Sequence, residues 1–330
     1  MNTSDQFLGK TMDKSHKSIP IVCAADDNYA MPLAVMLRSV IDNLDPKVCL
    51  DVYVLDGGIR EISKQLIKQS LGNVCCYKIK WLHLPQSSYD WAVPIEHLSK
   101  AAYLRLMIAD LLPKDLEQVI YLDCDIIVQS NLVDLWNIEI KDFTVAAVQS
   151  AGIPFVSSPR GVSRYSELEI PEDSKYFNSG VLLINLTQWR AEDISCKAIE
   201  YIRHFGHTLV YADQDVLNAL LASKWKELDN NWNRELPYLF EVDSVKNAYI
   251  VHYISKNKPW QVPSHRKDAD DLFLSYLAKT KWSSKTIKLR LTLEIIRKRR
   301  TVVRHLRNIK KGVMISLSSA KQRTSDRQIL

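Results

Sequence analysis

IPIVCAADDNYAMPL, residues 19–33, reads as a buried strand that breaks into a polar loop and restarts as a helix. Ile19 to Ala25 is short, apolar and partly β-branched, which suits a strand, and Asp26-Asp27-Asn28 ends it. From Pro32 to Asn43, Leu33, Met36, Leu37, Val40 and Ile41 share one helical face. The pattern then repeats. A strand over Leu50–Leu55 stops at Asp56-Gly57-Gly58, and a helix near Glu61–Ser70 precedes a strand near Val74–Trp81. A helix near His97–Leu111 precedes a strand over Gln118–Leu122. Such alternation implies an α/β domain of parallel strands joined by helices, with sites at the strand C-termini. Further strands are expected at Phe143–Val148 and Gly180–Leu186, separated by a Gly, Pro and Ser loop long enough to form a lid. Helices are expected at Thr187–Phe205 and Gln214–Ala222.

The 330 residues, 46% hydrophobic and 25% charged, can bury one sizeable core. The net charge of +6 is unevenly spread. Residues 281–330 hold 15 Lys and Arg against only Glu294 and Asp326, a local +13, so residues 1–280 carry −7. The expected organisation is a polar extension over 1–18, a catalytic domain over 19–282 and a basic tail over 283–330. Six cysteines at 23, 49, 75, 76, 124 and 196 form no C-x-x-C pair, against a zinc site or disulfide frame and in favour of a reducing cytosol. The polar start, Met1 to Ser18, lacks the apolar segment of a signal peptide, and no apolar run reaches the roughly 18–20 residues that span a bilayer. A cytoplasmic protein, peripheral at the inner face of a membrane, is the expectation.

In YLDCDIIV an apolar strand runs into Asp123 and Asp125. On an extended backbone, side chains two apart point the same way, so both carboxylates can face one ion while Cys124 points away. Hard anionic oxygens suit Mg²⁺ or Mn²⁺. Solvated loop aspartates are the plainer alternative, since D-x-D recurs by chance. In AYIVHYISKNKPW, His252 ends another apolar strand, Lys258 follows six residues on as a point charge for phosphate, and Trp260 completes a loop able to close.

These pieces together resemble glycosyltransferase family 8, the retaining GT-A enzymes, over roughly residues 19–262. The resemblance implies a Rossmann-like mixed sheet flanked by helices and a UDP-hexose donor, with galactose and glucose both open. It also implies a glycan, glycolipid or lipopolysaccharide acceptor. IVCAADDNYAMPL matches a nucleotide-contacting loop, implying contacts from Ala24, Asp26, Asn28 and Tyr29. In KAAYLRL, Arg105 matches a donor-contacting arginine. LDCDIIV matches the metal motif, placing Asp123 and Asp125 on Mn²⁺ or Mg²⁺. In KYFNSGVLLINLTQWR, Asn178 matches a residue lining the sugar pocket. ADQDVLN puts Asp213 where the family grips sugar hydroxyls and Gln214 beneath the anomeric carbon; Asp213 equally suits a helix N-cap. HYISKNKPW implies that His252 is the third metal ligand and Lys258 a phosphate contact. Two departures stand out. Ser255 replaces a glycine common in relatives near the phosphate, and Gln149 stands where some relatives carry an aspartate facing the acceptor.

Retention usually calls for a carboxylate nucleophile, whereas Gln214 is a neutral amide. The expectation is therefore attack from the face that the diphosphate leaves, with Gln214 stabilising an oxocarbenium-like state. Past Trp282 the spacing is helical. Arg290, Arg297, Arg304 and Arg307 share one arc, and Leu289, Leu293, Ile295, Ile296, Val302, Val303 and Leu306 crowd the other, with Lys288 and Arg299 spoiling the division. Such a helix suits an anionic membrane surface or, alternatively, packing on the catalytic domain. Nucleic acid is not an expected partner, because no aromatic residue follows Trp282 to stack on bases. Rival functions are a sugar nucleotidyltransferase, disfavoured because AADDNYA lacks a glycine-rich phosphate loop, and a non-catalytic nucleotide-sugar-binding or membrane scaffold protein.

Overall fold

In the computed structural model, which describes residues 18–72, 76–84, 90–92, 100–222, 224–236, 245–264 and 266–303, the opening apolar run is a central strand. Among those residues the strands are β1 Ser18–Ala25, β2 Cys49–Asp56, β3 Tyr77–His83, β4 Gln118–Leu122, β5 Ile126–Val128, β6 Val145–Gln149, β7 Phe177–Asn185, β8 Trp225–Glu227, β9 Arg234–Glu235 and β10 Ile250–His252. The α-helices are α1 Ala30–Asn43, α2 Glu61–Leu71, α3 Ile108–Leu111, α4 Leu132–Trp136, α5 Leu186–Ala191, α6 Ile194–Phe205, α7 Asp213–Leu221 and α8 Lys267–Leu277, followed by α9 over residues 284–303.

Seven strands form the main sheet in the order β3-β2-β1-β4-β7-β6-β8. β1 pairs in parallel with both β2 and β4, so its backbone groups are satisfied on each side while helices cover both faces. Its residues alternate between two cores. Ile19, Ile21 and Cys23 pack with α1 and α2, and Val22 packs with residues of α3, α6 and α7 on the opposite face.

The sheet is mixed, not all parallel as helix–strand alternation alone implies. β7 runs antiparallel to both neighbours, β4 and β6. The reason is the long segment between β6 and β7, which brings the chain back at the end it left from: Gln149 pairs with Phe177. That segment has a small core of its own, Ile153, Val156, Val162 and Tyr176, and a bridge between Phe155 and Lys175.

Other boundaries moved for local reasons. The helix expected over Thr187–Phe205 is two helices, α5 and α6, because Asp193 takes a left-handed conformation, φ 54°, between them. The helix expected near His97–Leu111 is a 3₁₀ stretch over Lys100–Met107 leading into α3, and its start lies outside the described residues, as does Val74. Residues 1–17 also lie outside them.

A second, three-stranded sheet, β5-β10-β9, contains the apolar strand expected to end at His252, but its pairing with β5 and β9 has no counterpart in the sequence. β5 leaves the main sheet after β4, and β10 lies antiparallel to it, pairing His252 with Ile126. This crossover brings residues 126–128 beside residues 250–252.

Helix α9 packs on the domain with only part of the apolar arc that its spacing suggests. Leu293 is buried and Leu289 joins it against α8, whereas Ile287, Leu291, Ile295, Val302 and Val303 are exposed. Arg297 does not sit on a solvent arc. It pairs with buried Asp270, and Arg300 donates to the Pro263 carbonyl, 3.1 Å. Arg304, Leu306 and Arg307 lie outside the described residues.

Candidate active site

The C-terminal ends of β1, β4 and β6 and the start of β7 meet at one edge of the main sheet, and β10 closes over it. Asp123 follows β4 directly, and its backbone N–H donates to Gly180 of β7, 2.8 Å. Asp123, Cys124 and Asp125 form a turn between β4 and β5, not the extended strand expected. The carboxylates converge all the same. His252 Nε2 lies 3.3 Å from Asp125 Oδ1 and 3.8 Å from Asp123 Oδ2. Cys124 turns inward, its Sγ 3.3 Å from the Ala24 carbonyl.

One potential ligand atom from each of Asp123, Asp125 and His252 lies within 4.8 Å of the others, a cluster without a second example among the described residues. Two carboxylates and an imidazole form an oxygen-rich donor set that suits Mn²⁺ or Mg²⁺. Gly180 makes room for it. A Cβ there would fall 2.2 Å from His252 Cε1 and 2.8 Å from Asp123 Oδ2, far inside van der Waals contact.

Positive charge flanks the cluster on both sides. Lys258 Nζ lies 2.5 Å from Asp125 Oδ2 and donates to the Tyr253 carbonyl at 2.6 Å. Burial pushes the Asp125 carboxyl up, but Lys258 and His252 outweigh it and hold that carboxyl well below the usual carboxylate range. Opposite, buried Arg105 binds two carboxylates: Nη2 lies 2.8 Å from Asp123 Oδ1 and Nε 2.8 Å from Asp213 Oδ2. Its Nη1 donates to the Ser179 carbonyl at 2.8 Å, and the guanidinium stacks 4.5 Å over the Tyr121 ring. The Tyr121 hydroxyl donates to Asp123 Oδ1 at 2.8 Å.

Asp213 and Gln214 open helix α7 immediately after Ala212, a non-glycine at φ 47°. Such a conformation costs on the order of 1–3 kcal/mol and persists only where surrounding contacts enforce it. Here it turns both side chains toward β7. Gln214 Oε1 accepts from the Ser179 N–H, 3.1 Å, and its Nε2 donates to the Tyr176 hydroxyl, 3.1 Å. Burial raises the Asp213 carboxyl to about 6, against the opposing pull of Arg105. Asp213 is thus held by a buried guanidinium, and it is the first residue of α7, with Ala212 and not Asp213 in the N-cap position. Asp215, in contrast, holds the preceding loop by accepting from the N–H groups of Val210, 2.7 Å, and Tyr211, 2.8 Å.

The loop after β1 stands at the same edge. Asp26 Oδ1 accepts from the N–H groups of Asn28, 2.9 Å, and Tyr29, 3.2 Å, fixing a 3₁₀ turn over Asp27–Tyr29. The Tyr29 ring meets Trp260 edge-on at 5.9 Å, joining this loop to the one that carries Lys258. Burial, then the Asp125 carboxylate, push the Tyr29 hydroxyl well above its ordinary value. Ser255 Oγ turns back on its own loop, donating to the Asn257 carbonyl at 2.9 Å, and Gln149 Nε2 donates to the Pro154 carbonyl at 2.7 Å. Asn178 Oδ1 accepts from the Gly180 N–H at 2.9 Å.

Several site residues escaped the sequence reading. Tyr121, Ser179 and Gly180 lie inside quoted motifs without having been singled out, and Asn233, buried beside His252, belongs to no motif. Buried Glu235 of β9 accepts from Ser150 Oγ, 3.1 Å, and from the Ala151 N–H, 2.9 Å, tying the loop after β6 to the small sheet.

Comparison with known proteins gives concordant matches. The model of "Glycosyl transferase family 8" matches residues 20–262. General stress protein A of Bacillus subtilis is 33% identical over 280 residues, covering 80% of this chain and 94% of that protein. The lipopolysaccharide 1,3-galactosyltransferase of Salmonella typhimurium is 30% identical over 73% of this chain and 72% of its own. Among solved structures, the galactosyltransferase LgtC in complex with donor and acceptor sugar analogs superposes with a TM-score of 0.67. It is 27% identical, over 80% of this chain and 96% of that one.

Proposed function

From the premise that this chain belongs to glycosyl transferase family 8 and has the GT-A fold, we propose that it transfers a hexose, galactose or glucose, from a UDP-sugar to a glycan, glycolipid or lipopolysaccharide acceptor with retained anomeric configuration. The observation that carries this reading is the convergence of Asp123, Asp125 and His252 between Arg105 and Lys258. The three ligands would hold Mn²⁺ or Mg²⁺, which supplies Lewis-acid neutralisation of a diphosphate. Lys258 moves from Asp125 to a phosphate oxygen as the donor binds and supports the charge that builds there. Arg105 holds Asp213 in place to accept from sugar hydroxyls, with Asn178 beside it. Ala24, Asp26, Asn28 and Tyr29 take the base and ribose, and Ser255 offers a hydroxyl near the phosphates.

The bond from the anomeric carbon to the phosphate oxygen breaks as the acceptor oxygen bonds to that carbon from the same face, and the acceptor proton passes to the departing phosphate oxygen. Gln214, held by Ser179 and Tyr176, presents a neutral amide beneath the developing oxocarbenium centre. A screen of nucleotide sugars for metal-dependent UDP release tests the reading. Silence across UDP-hexoses with Mn²⁺ and Mg²⁺ overturns it.

The second part of the proposal concerns a membrane surface. Among the described residues no helix is long and apolar enough to cross a membrane. Exposed Ile287, Leu291, Ile295 and Val302 fall on one stripe of α9, beside exposed Lys288, Lys298 and Arg299. Basic residues next to an apolar stripe suit an anionic headgroup layer, each contributing about 1 kcal/mol near the surface. The face that docks is then this outer stripe, not the one carrying Leu289 and Leu293. Flotation with phosphatidylglycerol vesicles, comparing the full chain with Leu291→Asp, checks this; equal flotation removes the membrane partner.

A further inference from the structure

We infer that Asn233 is a positioning residue that fixes which ring nitrogen of His252 is free for a cation and couples that choice to Asn178. The inference rests on the reading of Asp123, Asp125 and His252 as a divalent-cation site. His252, Asn233 and Asn178 are all buried, so each of their polar groups requires a partner inside the protein.

The hydrogen-bond directions follow one from another. The Gly180 backbone N–H can only donate, and it meets Asn178 at 2.9 Å, so that atom of Asn178 is the acceptor Oδ1. The same Oδ1 receives Asn233 at 2.8 Å, and only the Nδ2 of Asn233 can donate there. The other end of the Asn233 amide, 2.9 Å from His252 Nδ1, is therefore Oδ1, an acceptor. His252 Nδ1 must carry the proton. That leaves Nε2, 3.3 Å from Asp125 Oδ1 and 3.8 Å from Asp123 Oδ2, as the nitrogen facing both carboxylates. In the neutral ring that nitrogen bears a lone pair facing two anionic oxygens, and either a second proton or a divalent cation placed between them satisfies all three. An outer partner that holds a ligating imidazole in one tautomer is a recurrent means of strengthening metal binding.

The relay has a second consequence. Its first member, Gly180, lines the cluster, and its middle member, Asn178, stands at the proposed sugar pocket. One chain of hydrogen bonds thus runs from the sheet backbone through the sugar side of the site to the ion side.

The ¹⁵N–¹H correlations of His252 in the full-length, metal-free protein at alkaline pH report the tautomer directly, and Mn²⁺ titration reports affinity without turnover. Expected are an Nδ1–H signature in wild type and, for Asn233→Ala, a loss of that preference with about 10–100-fold weaker Mn²⁺ binding. Asn233→Asp keeps an acceptor facing Nδ1 but no donor for Asn178. It retains the Nδ1–H signature and Mn²⁺ binding, and raises KM for the donor. An Nε2–H tautomer in wild type overturns the inference, as does unchanged Mn²⁺ affinity in a folded Asn233→Ala protein. A wild-type protein with Nδ1–H that binds no divalent ion refutes the proposed function and leaves the tautomer assignment standing.

Discussion

Replacing Gly180 by alanine adds one methyl group where the proposed ion-binding cluster is tightest. The new carbon would lie 2.2 Å from His252 Cε1, 2.8 Å from Asp123 Oδ2 and 2.9 Å from His252 Nδ1. Carbon atoms pack at about 3.5 Å or more, so the imidazole must retreat by roughly 1.3 Å. It has little freedom to do so, because β10 fixes its backbone and Asn233 holds Nδ1. Metal ligands work within about 0.2 Å of their proper distances, so the shift removes the imidazole as a ligand. The expected result is roughly 100-fold weaker Mn²⁺ binding, about 2.7 kcal/mol. Overpacking adds a stability loss of about 1–3 kcal/mol. Electron paramagnetic resonance of free Mn²⁺ in a titration reads the first quantity, and urea denaturation the second. Unchanged Mn²⁺ affinity in a folded Gly180→Ala protein would show that the three side chains do not share an ion.

Three further outcomes are expected. Lys258→Met removes the ammonium 2.5 Å from Asp125, so Mn²⁺ binding measured without nucleotide strengthens while turnover falls by roughly 100-fold; turnover close to wild type would contradict the phosphate role. The Asp213 carboxyl is raised from 3.8 to about 6 by burial, so the folded chain holds its proton at pH values where the unfolded chain has released it. The associated stability is present below pH 3.8 and lost as pH rises through about 6, up to about 3 kcal/mol at most. Urea midpoints should therefore show Asp213→Asn gaining on wild type between the two ends of that window, and parallel pH profiles would refute the shift. Arg297→Ala strands Asp270 in the interior, where Ser264 N–H remains as a partner, and is expected to cost about 3 kcal/mol. A change below about 0.5 kcal/mol, the range of ordinary surface substitutions, would show α9 to be loosely attached.

The motifs were legible because each is local. Strand β1, the Asp26 turn and helix α1 follow one another within residues 18–43, and short-range periodicity encodes them. The same holds for Asp123 and Asp125, whose convergence needs only a tight turn after an apolar strand, although the turn replaced the extended geometry expected. Less legible were features set by pairing across the chain. The reversal of β7 depends on where a long connection returns. The small sheet uses strands of two or three residues, too short to show a period. The inward face of α9 combines Leu289 and Leu293 of the apolar arc with Arg297 and Arg300, which meet Asp270 and Pro263, and hydrophobicity alone does not predict that those arginines turn inward.

By itself the sequence determined an α/β chain with acidic loops at strand ends, a string resembling one enzyme family and a basic C-terminal region, because apolar periodicity and residue chemistry act over a few neighbours. Only the tertiary structure decided that His252 lies 3.3 Å from Asp125, that Arg105 grips both Asp123 and Asp213, and that Asn233 stands behind the imidazole. Those contacts join residues 18 to 127 positions apart, and chain proximity carries no information about them. The sheet crossover between β4 and β5, with β10 laid beside it, is what turns separate motifs into one site.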